Sequence, residues 1–172
     1  NSLMALAHGG EGIAEVKGCD RGVAVGISAI EYGELLVKVG APITPYTALG
    51  GSLSVACGRL SYFFGFCGPS YSVDTACSSS LVSTHIASAT ILLGESESGL
   101  AAGVQHTLIP QPFVVLVISN MLAQDGRCKT LDSTADGYVR AEACGALELT
   151  AAHDQVHNLV LVHASSVNQD GR

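Results

Sequence analysis

The residues best suited to chemistry are Asp74-Thr75-Ala76-Cys77-Ser78-Ser79-Ser80, which place one cysteine where a β-prone run turns into a helix. The run Ser70 to Thr75 follows Gly68-Pro69 and reads as a short strand. A helix is predicted from about Cys77 towards Leu93, with Leu81, His85, Ala89 and Leu92 along one face and Gly94 as its left-handed stop. A thiol in the first turn of a helix lies near unpaired N–H groups and the positive end of the helix dipole, and both favour thiolate over thiol. The thiolate is the form that attacks carbonyls. Free cysteines are commonly just small buried residues. Ala76 and the three serines give this one no bulky cover, so Cys77 is read as a nucleophile.

A cysteine nucleophile needs a base or a hydrogen-bonding partner, and the chain has six histidines. His85 is eight residues beyond Cys77 on the same helix, about 12 Å along the axis at ~1.5 Å per residue, which is too far to pair. His106 follows the predicted strand 99–104, expected beside the nucleophile strand, and strand C-termini cluster on parallel sheets. It could line the site, or it could simply pack in a loop near Pro110 and Pro112. His153 and His157 share the i, i+4 spacing of metal ligands, but their surroundings are polar and no third ligand is in sight, so an exposed turn is the better reading. Gly50-Gly51 lacks the Lys and the strand-loop-helix order of a phosphate-binding loop, and no nucleotide cofactor or metal is implied. Glu95 and Glu97 read as a solvated turn.

The elements that must position Cys77 follow from apolar patterning. Residues 1–21 are Gly-rich and read as a loop or frayed end. Strand 22–27 is followed by a helix over about 29–39, a Pro- and Gly-containing loop over 40–51, and a helix from the N-cap Ser52 to Phe64. In that helix Leu53, Ala56, Leu60 and Phe63 or Phe64 recur at core spacing. Strand 70–75, helix 77–93 and strand 99–104 make a βαβ crossover, which implies an α/β protein with a parallel sheet covered on both faces. Further strands are predicted over 138–149 and 156–167.

Composition bounds the partners. The 172 residues fit one domain or part of one, carry a formal charge of −7, and are only 13% charged, against about 25% in ordinary soluble domains. So little charge implies a surface that is normally covered. The acidic balance, without a Lys/Arg cluster, argues against nucleic acid and anionic membranes. The longest apolar run, Phe113 to Ile118, is far too short to span a bilayer. The six cysteines lack CxxC or CxC spacing, so reduced thiols in an intracellular compartment, cytoplasmic or plastid, are expected rather than disulfides or zinc.

Val73-Asp74-Thr75-Ala76-Cys77-Ser78-Ser79-Ser80-Leu81 resembles the active-site signature of β-ketoacyl synthases, most closely the ketosynthase domains of polyketide synthases. Ser52 to Gly65, Gly68-Pro69-Ser70, Asp125 to Thr130, Ala135 to Tyr138 and Val167 to Gly171 resemble further family segments in the same order, so the match covers about residues 22–172. The resemblance implies a thiolase-like fold, here the N-terminal half of a layered α-β-α-β-α architecture, and places a helix over 113–118 where propensity alone would put a strand. It implies that Cys77 accepts an acyl chain from the phosphopantetheine arm of an acyl carrier protein and condenses it with a malonyl unit by decarboxylation. It also implies a homodimer whose contact runs through the active-site half.

The His-Gly-Thr-Gly-Thr segment, the Lys, the further His and the Gly-Phe-Gly flap of the family's second half do not occur in this chain, which therefore reads as a truncated domain without condensation activity of its own. Glu142 falls where the family has Glu between two glycines, but Ala141 and Ala143 flank it here. A thiolase or priming synthase, a non-catalytic ketosynthase-like partner protein and a cysteine hydrolase are the competing readings. The Ala-Cys-Ser-Ser-Ser context disfavours the first, retention of Cys77 the second, and the want of a local histidine the third.

Overall fold

The computed structural model describes residues 2–8, 12, 14–28, 31–151, 160–169 and 171. Its elements in chain order are α1 (Ser2–His8), β1 (Arg21–Gly26), α2 (Glu31–Lys38), α3 (Pro45–Gly51), α4 (Leu53–Phe64), β2 (Ser70–Val73), a single 3₁₀ turn (Ala76–Ser78), α5 (Ser79–Leu92), β3 (Ser98–Gln105), α6 (Gln111–Ile118) and β4 (Ala143–Thr150). Four strands form one sheet in the order β2-β1-β3-β4. The first three are parallel and β4 runs antiparallel to β3.

Alternation along β1 and β3 sorts the two faces. Val23, Val25, Leu100 and Ala102 point to one side, where they pack with Leu6 of α1, Val16, Phe66, and Cys57 and Phe64 of α4. Ala24 and Ala101 point to the other, against Ala87 of α5. The sheet is thus covered on both faces, but by surfaces of different grain. Over 22–26 and 99–103, β1 and β3 present only Gly and Ala on the α5 side. A Cβ at Gly26 would lie 2.5 Å from the Ser79 carbonyl carbon and 2.7 Å from the Ser80 nitrogen, and one at Gly103 would lie 2.6 Å from Ser80 Cβ. The helix therefore approaches the strands backbone to backbone.

This close approach reverses the face expected of α5. Its buried residues are Ser79, Ser83, Ala87 and Thr90, while Leu81 and Leu92 are 75% and 85% exposed. Only small side chains fit directly over a floor of glycine and alanine, so Leu81 and Leu92 turn outwards while Ile86 packs at the flank of the alanine cluster. Ser83 is buried without penalty because its hydroxyl donates to Ser80 O and Ala102 O at 2.8 and 3.0 Å.

Other expectations change for equally local reasons. Residues 2–8 are helical, not frayed, because Leu6 is only 1% exposed in the larger core cluster. The Pro-containing loop holds α3: Pro45 begins it with a preset φ, and the Thr44 N–H donates to Thr47 Oγ1 at 2.9 Å. Ser52 stands at the N-cap position of α4, but its hydroxyl meets Ser54 Oγ at 2.7 Å instead of a helix N–H. In α4, Phe64 is buried and Phe63 is 66% exposed, and Gly65 closes the helix at φ 72°. Gly94 has the left-handed φ of 72° expected after α5. Residues 111–118 are helical, in line with the family resemblance and against propensity.

The predicted strand 156–167 is not found over 160–167, which join no strand among the described residues; residues 152–159, with His153 and His157, fall outside the described residues. Strand β3 does not lie beside β2 as expected: β1 intervenes, and α5 spans all three. Among the described residues no helix is long and apolar enough to cross a membrane.

Two buried ion pairs pin the periphery. Arg21 meets Ser98 Oγ through Nε at 2.8 Å and Glu148 through Nη2 at 2.9 Å, tying β1 to β3 and β4. Glu31, at the start of α2, accepts N–H groups from Leu108 and Ile109 at 2.8 and 3.2 Å and Arg140 Nη2 at 2.9 Å. Burial pushes the Glu31 carboxyl up, but these three donors outweigh it and hold it below its ordinary value of 4.5.

Two outcomes follow. Gly26→Ala should cost roughly 1–3 kcal/mol by overpacking, because the new methyl meets backbone that cannot rotate away; urea unfolding measures it. A lowered carboxyl pKa stabilises the fold above the ordinary value, and that stability is lost as pH falls through the lowered one. As pH falls below about 4.5 the urea midpoint of the wild type should therefore fall more steeply than that of Glu31→Gln, whose side chain does not titrate there.

Candidate active site

Cys77 is placed by a tight turn rather than by the body of the helix. β2 ends at Val73, the 3₁₀ turn takes Ala76 to Ser78, and α5 begins only at Ser79, so Cys77 precedes the α-helix by two residues instead of opening it. The cysteine is exposed. It stands at the sheet edge where β1, β2 and β3 all end, since Gly26 is in register with Val73 on one side and Gly103 on the other.

The turn is bought with backbone strain at Ala76, whose φ of 54° is left-handed without being glycine. Such a conformation costs of order 1–2 kcal/mol and persists only where its surroundings fix it. Here Asp74 Oδ1 accepts the Ala76 N–H at 3.0 Å. The Ala76 carbonyl accepts both the Ser79 hydroxyl at 2.7 Å and the Ser79 backbone N–H. Ser79 Oγ in turn accepts the Thr75 N–H at 2.9 Å, and Ser78 Oγ donates to Thr75 O and Oγ1 at 2.8 and 2.9 Å. The hydroxyls around Cys77 are thus structural pins, and Ser79 is the central one, 5% exposed beneath the turn.

His85 and His106 are engaged by other residues. His85 Nδ1 bonds Ser165 Oγ at 2.8 Å. His106, on the loop after β3, stands 3.5 Å from Glu142 Oε1 with its side chain 64% exposed, and β1 separates its strand from that of Cys77. Among the described residues no group of three His, Cys, Asp or Glu could hold a metal ion. Glu142 has a use despite its altered flanks: its Oε1 accepts the Thr107 N–H at 2.8 Å, and this bond, with His106 beside it, holds its carboxyl below the ordinary range.

The sequence singles out Cys77 but not the residues that hold its turn. Asp74, two residues before Ala76, carries a recognisable signal, since Asp bonding the backbone two residues on is a common turn device. Ser79 looked like one of three equivalent hydroxyls, and the joining of Glu31 to the loop 107–109 spans 77 residues, a distance no local pattern reports.

Comparison with known proteins identifies the family. The family described as "Beta-ketoacyl synthase, N-terminal domain" matches residues 1–155, beginning earlier than the residue 22 expected from the motifs. The chain is 40% identical over 172 residues to a phenolphthiocerol/phthiocerol polyketide synthase of Mycobacterium tuberculosis, covering 98% of this chain and 9% of that protein. It is 41% identical over 160 residues to erythronolide synthase EryA2 of Saccharopolyspora erythraea, covering 91% and 4%. It superposes with a TM-score of 0.78 and 34% identity on the ketosynthase from module 6 of the bacillaene synthase of Bacillus subtilis 168, covering 88% of this chain and 25% of that one. The chain therefore spans less than a tenth of these curated relatives and a quarter of the solved ketosynthase. With a strained cysteine turn on a doubly covered mixed sheet and these matches, the chain belongs to the β-ketoacyl synthase family, in its N-terminal domain, and has the thiolase-like fold of the ketosynthases.

Proposed function

We propose that Cys77 is the acyl-accepting nucleophile of a polyketide-type β-ketoacyl synthase. The observation that carries this reading is the exposed thiol on a backbone-strained turn, in a chain of this family. The Cys77 thiolate attacks the carbonyl carbon of an acyl thioester delivered on the phosphopantetheine arm of an acyl carrier protein. The electron pair moves onto oxygen, where the Cys77 backbone N–H donates to it, and then returns to expel the pantetheine sulfur as thiolate. The acyl group is left as a thioester on Cys77 Sγ.

A malonyl-carrier unit then loses carbon dioxide, and its carbanion attacks the acyl-Cys77 carbonyl, releasing the Cys77 thiolate and a β-ketoacyl carrier. By the family resemblance, that second step draws on histidines in the His-Gly-Thr-Gly-Thr and later segments, which this chain does not contain. The part assigned to these residues is therefore acyl capture, and homodimerisation belongs to the same reading.

Intact-mass analysis after incubation with an acyl thioester, followed by peptide mapping, tests the assignment. Mapping is needed because Cys67, Cys128 and Cys144 are exposed as well. One acyl group on the Cys77 peptide, absent from Cys77→Ala, is expected. A wild-type Cys77 peptide that stays unmodified, or that is acylated no faster than the Cys67, Cys128 and Cys144 peptides, sinks the assignment. Ser79→Ala should cost roughly 1–3 kcal/mol by orphaning the Thr75 N–H, and should slow acylation because the turn loses its central pin.

A further inference from the structure

Three consecutive main-chain N–H groups in the loop after β3 are held by two carboxylates that lie far away in sequence. Thr107 donates to Glu142 at 2.8 Å, while Leu108 and Ile109 donate to Glu31 at 2.8 and 3.2 Å. Glu31 is 5% exposed and is matched by Arg140, whose guanidinium also lies 5.1 Å from the Phe113 ring centroid in α6. The start of α2, the segment before β4 and the first turn of α6 thus converge on one short loop. A buried carboxylate is a costly way to hold a loop, since it loses its hydration and requires a matching cation. In return it accepts two N–H groups on one oxygen and a charged donor on the other, which fixes the loop to two elements at once.

The loop's starting point shows what this precision serves. Gly103 lies directly under Ser80 in the first turn of α5, so β3 passes beneath the helix start just before the loop begins. The loop therefore rises from the same end of the sheet as the turn bearing Cys77, and it carries Leu108, 38% exposed. We propose that Glu31 and Glu142 are positioning residues that fix the loop 107–109 relative to the Cys77 turn and thereby set which acyl chains reach the thiol. This rests on the acyl-cysteine reading above.

The test measures saturation kinetics of Cys77 acylation in the protein by intact mass, with acetyl and octanoyl N-acetylcysteamine thioesters. Glu142 is half exposed, so Glu142→Ala should leave the melting temperature within about 2 °C of wild type. It should shift the octanoyl-to-acetyl ratio of acylation efficiencies by roughly three- to tenfold, chiefly through KM. Glu142→Gln keeps an acceptor for the Thr107 N–H and should restore the wild-type ratio; Glu31→Gln, keeping an acceptor for Leu108 and Ile109, should stay closer to wild type than Glu31→Ala. If Glu31→Ala does not fold, the Glu142 pair alone decides. A ratio unchanged in Glu142→Ala, or equally altered in Glu142→Gln, overturns the positioning role while leaving the acyl-cysteine intact. A wild type that is never acylated at Cys77 overturns both.

Discussion

The fold turns on a contact made by the absence of side chains. Gly26 ends β1 and Gly103 stands near the end of β3; the Ser79–Ser80 backbone above the first and the Ser80 Cβ above the second lie closer than any added Cβ would allow. Because α5 starts on that floor, the three residues before it must turn sharply to leave β2, and this turn carries the cysteine. The left-handed φ at Ala76, the hydroxyl pins and the outward leucines all follow from how near the helix must come.

Much of this was legible in the sequence, and the remainder was hidden for physical reasons. Runs such as Val23 to Val25 and Leu100 to Ala102 announce strands because fully buried parallel strands are continuously apolar. The junction at Cys77 was readable because its residue types are unusual for a core. The orientation of α5 was not, since apolar periodicity assumes that large residues face inwards, and that fails over a floor of glycine. Strand order was equally hidden: a βαβ pattern sets handedness and parallelism but does not say whether a third strand lies between. The helix over 111–118 shows the converse, β-branched residues overridden by their setting.

Low overall charge gives the few charged side chains distinct duties. Arg21 joins three strands through Ser98 and Glu148, and Glu31 joins a helix to a loop through Arg140. Neither pair need add much net stability, because burial costs each ion its hydration. What such pairs supply is uniqueness of arrangement, since an unmatched charge in the same place would be far worse. Both sit at connections where apolar packing alone would leave the register between elements loose.

The inner face of α5 is made of serine, alanine and threonine, and its outer face carries leucine, so the helix is two-sided in size as well as in chemistry. A helix graded in this way has a fixed rotational phase. Turning it by one residue's worth of arc, about 100°, would carry Val82 and Ile86 in one sense, or Thr84 and Ile91 in the other, over the glycine floor, where a branched side chain has no room. Steric exclusion along α5 therefore fixes the phase of the helix from which the Cys77 turn departs, and the hydrogen bonds of that turn then place the thiol.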